Sequence, residues 1–218
     1  MCKKSVMLPP DEMQQVLEGL EQGLPLARDI DALDHAQIAY PGCTVPVIVP
    51  QGGSLQLREL CWGFPADWQK GRVFNTRIET ALGPNPGMWH LPITEGRCVV
   101  ATGGFFESHQ SETRTSPRSG KPIKVQYRFE DPEGYPLLLA AVASDDCFSI
   151  VTTMPNASVA SVHDRMPLVL RQPEVAQWLG QGYGTLADRS AVRLVAQPED
   201  AGASASPSGS RGVQESLF

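Results

Sequence analysis

The chain has 218 residues and ordinary globular composition, with 41% hydrophobic and 19% charged side chains. That is enough chain for one good core and excludes a disordered protein. A net charge of −6 and a pI near 5.2 argue against a protein that coats nucleic acid indiscriminately. The 20 glycines and 19 prolines imply many turns and short elements, with more strand than helix. Five cysteines, an odd number without a CxxC pair, argue against a disulfide framework and a zinc ribbon, and no metal or other cofactor is expected. The longest apolar runs, such as Leu137 to Ala143, are too short to span a bilayer, and no signal-peptide core follows Lys3 and Lys4. The expected location is therefore cytoplasmic, and no membrane partner is expected.

Taken in chain order, Pro9-Pro10-Asp11-Glu12 reads as a helix start, with Met13, Val16, Leu17 and Leu20 on one face and Gly23 and Pro25 as the stop. Thr44–Val49 reads as a β-branched strand, with a hairpin partner from Leu55 to Trp62 across Gln51-Gly52-Gly53-Ser54. Arg97–Ala101 is another short strand. Ile123, Val125, Tyr127 and Phe129 alternate with Lys124, Gln126 and Arg128, the period-2 signal of a half-buried strand with a basic polar face. Leu137–Ala143 and Phe148–Thr153 read as core strands around a Ser144-Asp145-Asp146 turn, and a short helix is expected over Pro173–Leu179. From Pro198 the composition turns to Ala, Ser, Gly and Pro, the mark of a flexible tail. The chain thus divides into a domain over residues 2–197 and a tail over 198–218.

Charge is unevenly spread. His109–Arg128 carries Arg114, Arg118, Lys121, Lys124 and Arg128 against Glu112. This stretch reads either as a solvated loop or as a phosphate-tracking patch on an otherwise acidic protein.

Four separated pieces carry a resemblance. They are Cys2 after the initiator; Trp62-Gly63-Phe64-Pro65 with Trp68 and Asn75-Thr76-Arg77-Ile78-Glu79-Thr80; Arg97-Cys98-Val99-Val100-Ala101 running into Gly103-Gly104-Phe105-Phe106-Glu107; and Val162-His163-Asp164-Arg165-Met166-Pro167. Together, over roughly residues 2–180, they resemble the SOS response-associated peptidase (SRAP) family, whose members process abasic sites. The resemblance implies an α+β, mostly β fold: a single SRAP-type domain with barrel-like antiparallel sheets and a few short helices. The chain departs from the family's usual opening, since Lys3-Lys4 stand where Gly-Arg is common. It has Ser108 where a tryptophan is common, and no C-terminal strand motif is recognisable after Arg189.

The resemblance also implies a chemistry that suits these residue types. With Met1 removed, Cys2 is a 1,2-aminothiol. Its amine, with a pKa of about 7.7–8, can form an imine with the ring-opened aldehyde of an abasic site. The thiol on the same residue then closes a thiazolidine, a step favoured because it is intramolecular. Glu107 is the acid/base group, His163 protonates the sugar ring oxygen, and Asn75 orients the nucleophile. Asp164 adjoins His163, but neighbours on a strand face opposite ways, so no Asp–His pair is expected. Arg77 and Arg165 are the implied phosphate contacts, Trp68 the base-stacking platform and Pro41 a wedge against DNA. Arg118 and Lys121 join them if the basic stretch tracks phosphates.

The expected partner is single-stranded DNA containing abasic sites, with a nucleoid-associated location. Two other readings use the same residues: a thiol (auto)peptidase, and a non-covalent reader of single-stranded or modified DNA. Finally, Gln214-Glu215-Ser216-Leu217-Phe218 resembles the bacterial sliding-clamp-binding motif, with Gln214 as polar anchor and Leu217 and Phe218 as adjacent hydrophobes.

Overall fold

A computed structural model describes residues 2–27, 37–66 and 71–199 of the chain. Met1, Trp68, Gln214, Leu217 and Phe218 lie outside the described residues. Strand β1 (Ser5–Met7) leads into helix α1 (Pro10–Gln22). Proline opens this helix, and Asp11 and Glu12 in its first turn complement its dipole. Met13, Val16 and Leu17 face the core, and Gly23 ends the helix at φ 66°, donating to Gly19 O. Strands β2 (Ile38–Ala39), β3 (Thr44–Gln51) and β4 (Ser54–Trp62) follow. The β3–β4 hairpin turns on Gly52 and Gly53, both at positive φ, the geometry that matches the twist of paired strands. Next come β5 (Phe64–Pro65), β6 (Arg72–Val73), β7 (Asn75–Arg77), α2 (Ile78–Ala81) and α3 (His90–Glu95). The remaining elements are β8 (Arg97–Thr115), β9 (Pro122–Glu130), β10 (Leu137–Ser144), β11 (Cys147–Thr153), β12 (Met166–Pro167), β13 (Val169–Leu170), α4 (Val175–Leu179) and β14 (Val195–Pro198).

The pairing closes a ring. β8 pairs with β10, β10 with β11, β11 with β4, β4 with β3, and β3 returns to β8 through Ile48 and Val99. The pairings are antiparallel except those of β11 with β4 and β7, which are parallel. Alternate residues then serve two apolar cores. Val45, Val47, Cys98, Val100, Leu139 and Phe148 belong to one; Ile48, Val99, Leu138, Ala140 and Val151 belong to the other, beneath α1 and α4. Burial on both faces is why Leu137–Ala143 is a continuous apolar run instead of an alternating one.

Three expectations change. The strand expected over Arg97–Ala101 continues to Thr115. The Gly103-Gly104 pair does not break it but forms a bulge: Val6 pairs with Gly104 and Met7 with Thr102, leaving Gly103 as the extra residue. Glycine suits the second position because a Cβ on Gly104 would lie 2.9 Å from Phe129 O. The basic stretch from His109 to Arg128 is a β8–β9 hairpin instead of a loop, with Phe105 stacked on Phe129 at 5.1 Å. There is also a C-terminal strand after Arg189. β14 runs antiparallel to β9, and Glu199 N donates to Gln126 O at 2.8 Å, so the pairing runs past residue 197. The strand is four exposed residues without a sequence signature of its own.

Candidate active site

Cys2 sits just before β1, and β1 is clamped between β2 and β8. That clamp drives Cys2 fully into the first apolar core. Its carbonyl accepts from Asn75 Nδ2 at 2.8 Å. Asn75 begins β7, which hangs on β11 in parallel register with Ile150. Asn75 Oδ1 is buried and has no hydrogen-bond partner among the described residues, so a donor can be received there. The Cys2 thiol donates to Lys4 O at 3.8 Å. Burial, and next the Glu107 carboxylate, push that thiol far up, so it is protonated at neutral pH.

Glu107 lies on β8 opposite Tyr127 and is 2% exposed. Burial lifts its carboxyl from 4.5 to about 7; among its charged neighbours Lys3 opposes the rise and Asp164 adds to it. His163 Nε2 faces Glu107 Oε2 at 3.8 Å. The two come together because β8 bulges between Ser108 and Thr113, and Gln110 N in that bulge donates to Val162 O at 2.9 Å. Burial lowers the His163 pKa, so the neutral imidazole dominates at pH 7. Its Nδ1 accepts from Arg165 N–H at 3.0 Å, which leaves the proton on the Nε2 side that faces Glu107.

Asp164 corrects the sequence reading. Its Oδ1 is 3.1 Å from His163 Nδ1. Residues 157–162 form turns and Asp164 lies in a bend, so His163 and Asp164 are not on a strand and their side chains need not point apart. The neutral ring accepts from Arg165, and the protonated ring can donate to Asp164.

The other sequence candidates separate into groups. Arg77 is exposed, two residues beyond Asn75 on β7, with Thr76 between them fully buried. Arg165 is 5% exposed and its guanidinium is occupied: both terminal nitrogens pair with Glu79, and NH2 also donates to Thr152 O at 2.9 Å. A phosphate would have to displace Glu79 to reach it. Pro41 is half-buried in the turn before β3, where Gly42 N donates to Trp62 O at 2.8 Å. Arg118 and Lys121 are exposed in the tip that joins β8 to β9. Glu107 and Thr115 are eight positions apart on β8, at most on the order of 25 Å at strand rise given the bulge between them, and the tip lies beyond Thr115, so it is remote from the carboxyl.

Sequence reasoning missed the support behind Cys2. Lys4 is 8% exposed; its Nζ pairs with Glu199 and lies 3.9 Å from the centre of the Phe106 ring. Its carbonyl accepts from Phe106 N at 3.0 Å. Arg114 NH1 donates to Glu199 O at 2.5 Å, so the end of β14 holds the start of the chain. The one available signal was Lys4 itself, where the family usually has arginine. Next to it, Ser5 Oγ and Thr102 Oγ1 are 2.7 Å apart in a buried network with Gly104 O.

Among the described residues no group of three or more His, Cys, Asp or Glu can hold a metal ion, and no helix is long and apolar enough to cross a membrane.

Comparison with known proteins places the chain in a family and matches its fold. The family model described as SOS response associated peptidase (SRAP) matches residues 1–208. The chain is 26% identical over 180 residues to the abasic site processing protein YedK of Escherichia coli, covering 78% of this chain and 75% of that one. It is 26% identical over 179 residues to the abasic site processing protein YoqW of Bacillus subtilis, covering 74% and 72%. Among solved structures, a phage-related protein from Bordetella bronchiseptica superposes with a TM-score of 0.65 at 19% identity, over 91% of this chain and 94% of the other. A protein from Bacteroides thetaiotaomicron does so at 0.60 and 18%, over 90% and 91%.

Proposed function

The chain belongs to the SRAP family, and on that premise we propose that it processes abasic sites in single-stranded DNA by forming a covalent thiazolidine through Cys2 once Met1 is removed. The observation that carries this reading is the convergence of four residues distant in sequence. The Cys2 carbonyl holds the Asn75 amide at 2.8 Å, Glu107 acts on the Cys2 thiol electrostatically, and His163 Nε2 stands 3.8 Å from Glu107. The relatives named as abasic site processing proteins support the substrate class.

The route follows from the protonation states. The thiol is protonated, so the amine acts first. Before either acts, the sugar ring opens: His163 in its protonated form gives a proton to the ring oxygen while the anomeric hydroxyl gives up its own to water, and the amine then adds to the aldehyde carbon. Glu107, with its carboxyl near pH 7, can give and take protons as the carbinolamine loses water to become an imine. The cationic iminium then favours ionisation of the thiol beside it. Glu107 takes the thiol proton, sulfur adds to the imine carbon, and the nitrogen keeps its proton. A buried protonated thiol suits this order better than attack on peptide bonds of other proteins. Arg77 takes a phosphate near the site, the exposed Arg118 and Lys121 take phosphates farther along the strand at the hairpin tip, Trp68 stacks on a base and Pro41 wedges against the DNA. Arg165 serves DNA only by exchanging Glu79 for a phosphate. The tail docks Leu217 and Phe218, with Gln214, on a bacterial sliding clamp, which would raise the domain's effective concentration at a fork.

The test incubates the full chain with single-stranded DNA carrying one abasic site, followed by a denaturing gel and an intact-mass measurement. A heat-stable adduct on protein that has lost Met1, absent with Cys2→Ala, is the expected result. Protein that has lost Met1, binds the DNA and gives no adduct overturns the covalent reading. A labelled peptide of residues 210–218, titrated against purified clamp, tests the tail; loss of saturable binding with Leu217→Ala plus Phe218→Ala is expected, and no binding at all overturns it.

A further inference from the structure

Outside the active site, the ring of strands has one seam of a different kind. β4 and β11 close it in parallel register over only two residue pairs, Cys61 with Cys147 and Trp62 with Phe148. Trp62 and Phe148 point into the core, where their rings stack 6.2 Å apart at 15°. Side chains alternate along a strand, so Cys61 and Cys147 share the opposite face. Both are half-buried free thiols, whereas Cys2 and Cys98 are fully buried.

Register fixes their geometry. Neighbouring strands are about 4.8 Å apart, inside the Cα separation of about 4.4–6.8 Å that a disulfide needs. The thiols also lie near enough for Cys61 to act electrostatically on Cys147. Two backbone bonds hold the strands at this point: Cys61 N donates to Asp146 O at 2.8 Å, and Gly63 N to Phe148 O at 2.7 Å. Arg72 is anchored here too. Its NH1 donates to Gly63 O at 2.7 Å and lies 3.9 Å from Cys147 Sγ. Burial, and next Cys61, raise the Cys147 thiol, and Arg72 offsets only part of that rise; what sets this pair apart from Cys2 and Cys98 is that solvent can reach it.

We propose that Cys61 and Cys147 form a reversible, peroxide-driven disulfide that staples the β4–β11 seam. One thiolate attacks the O–O bond of hydrogen peroxide, giving a sulfenic acid and, once hydroxide takes up the displaced proton, water. The second thiolate attacks the sulfenic sulfur and forms the S–S bond, and the departing hydroxide takes the second proton as another water. In total two thiols are oxidised, one peroxide is reduced and two waters leave. A bridge between residues 61 and 147 spans a long loop, which gives it a large effect on the unfolded chain. Because β11 also carries β7, the staple rigidifies the strand on which Asn75 is mounted.

The experiment exposes the full chain to hydrogen peroxide, blocks remaining thiols, digests without reductant and maps the peptides by mass spectrometry. The expected product is a linked peptide pair containing Cys61 and Cys147, lighter than the sum by two hydrogens and separated by dithiothreitol. Cys61→Ser and Cys147→Ser should each abolish it. The oxidised chain should melt about 4–16 °C above the reduced chain. Recovery of both residues as blocked thiols after oxidation overturns the proposal, as does a bridge that uses the exposed Cys43 instead. A Cys61–Cys147 bond that leaves the melting temperature unchanged overturns the staple.

Discussion

Glu107→Gln is the sharpest test of the site, because it preserves shape and removes titration. In the unfolded chain the carboxyl ionises near 4.5; in the fold, burial moves it to about 7. Between those values the folded chain holds a proton that the unfolded chain has released. The group's contribution to stability is therefore full below about pH 4.5 and is lost as pH rises through 7. At about 1.4 kcal/mol for each power of ten in acidity, the loss is about 3 kcal/mol. The side chain is 2% exposed, so solvent screening does not discount it. Glutamine carries no such loss. For a domain of this size, 3 kcal/mol corresponds to a melting shift on the order of 10 °C. Thermal denaturation of both proteins at pH 5 and pH 8.5 should thus show Glu107→Gln gaining on wild type as pH rises, while the rate of adduct formation falls on the order of 10²–10⁴-fold. A melting difference that is the same at both pH values would refute the reasoning, because Glu107 would then not titrate where the burial argument puts it.

Cys2→Ser should keep DNA binding but give only a reversible adduct on a denaturing gel, because a hydroxyl adds poorly to an imine; an equally heat-stable band would remove the thiazolidine. Replacing Arg118 and Lys121 together by alanine should make the log-affinity against log-salt slope shallower by about 1.4 if each contacts one phosphate of a single strand. An unchanged slope would leave the hairpin tip merely solvated. Glu199→Gln should lower the melting temperature and slow adduct formation, since Lys4 loses its partner at a site where the side chains are 10% and 15% exposed. Adding Lys4→Met should recover the melting temperature, and a normal rate in Glu199→Gln would mean that β14 does not position Cys2.

The strands that sequence located best were those with a self-contained signal. The Gly52-Gly53 turn between β-branched runs and the Asp145-Asp146 turn between apolar runs each fix a hairpin locally. The extension of β8 was illegible because a glycine pair usually interrupts a strand, and only pairing with β1 turns it into a bulge. β14 was illegible for a related reason: its exposed residues carry no pattern, and it is a strand because β9 offers an edge. Within the site, Cys2, Asn75, Glu107 and His163 could be named from the sequence because they lie in recognisable segments. The contact of His163 with Asp164 could not, since it depends on a turn that was read as extended chain. Nor could the engagement of Arg165 with Glu79, which needs β7, α2 and β11 brought together. Lys4 and Glu199 are 195 residues apart, and only the β9–β14 pairing makes them neighbours.

One physical cause, burial, sets the state of the whole site. It raises the Cys2 thiol and the Glu107 carboxyl and lowers the His163 imidazole, so each of the three is moved toward its neutral form. Before substrate arrives the thiol is protonated, which makes it a poor target for oxidants because oxidation proceeds through the thiolate. On the proposed route the iminium places a fixed positive charge directly beside the thiol in this low-dielectric space. Its field favours the thiolate and the carboxylate at the moment both are needed, and the charge disappears when sulfur adds to carbon. The half-buried Cys61 and Cys147 contrast with this arrangement: they lie within reach of solvent, and a fixed guanidinium stands beside one of them. Accessibility to oxidant thus separates the fully buried Cys2 from the half-buried Cys61 and Cys147. Peroxide should therefore modify Cys61 and Cys147 before Cys2.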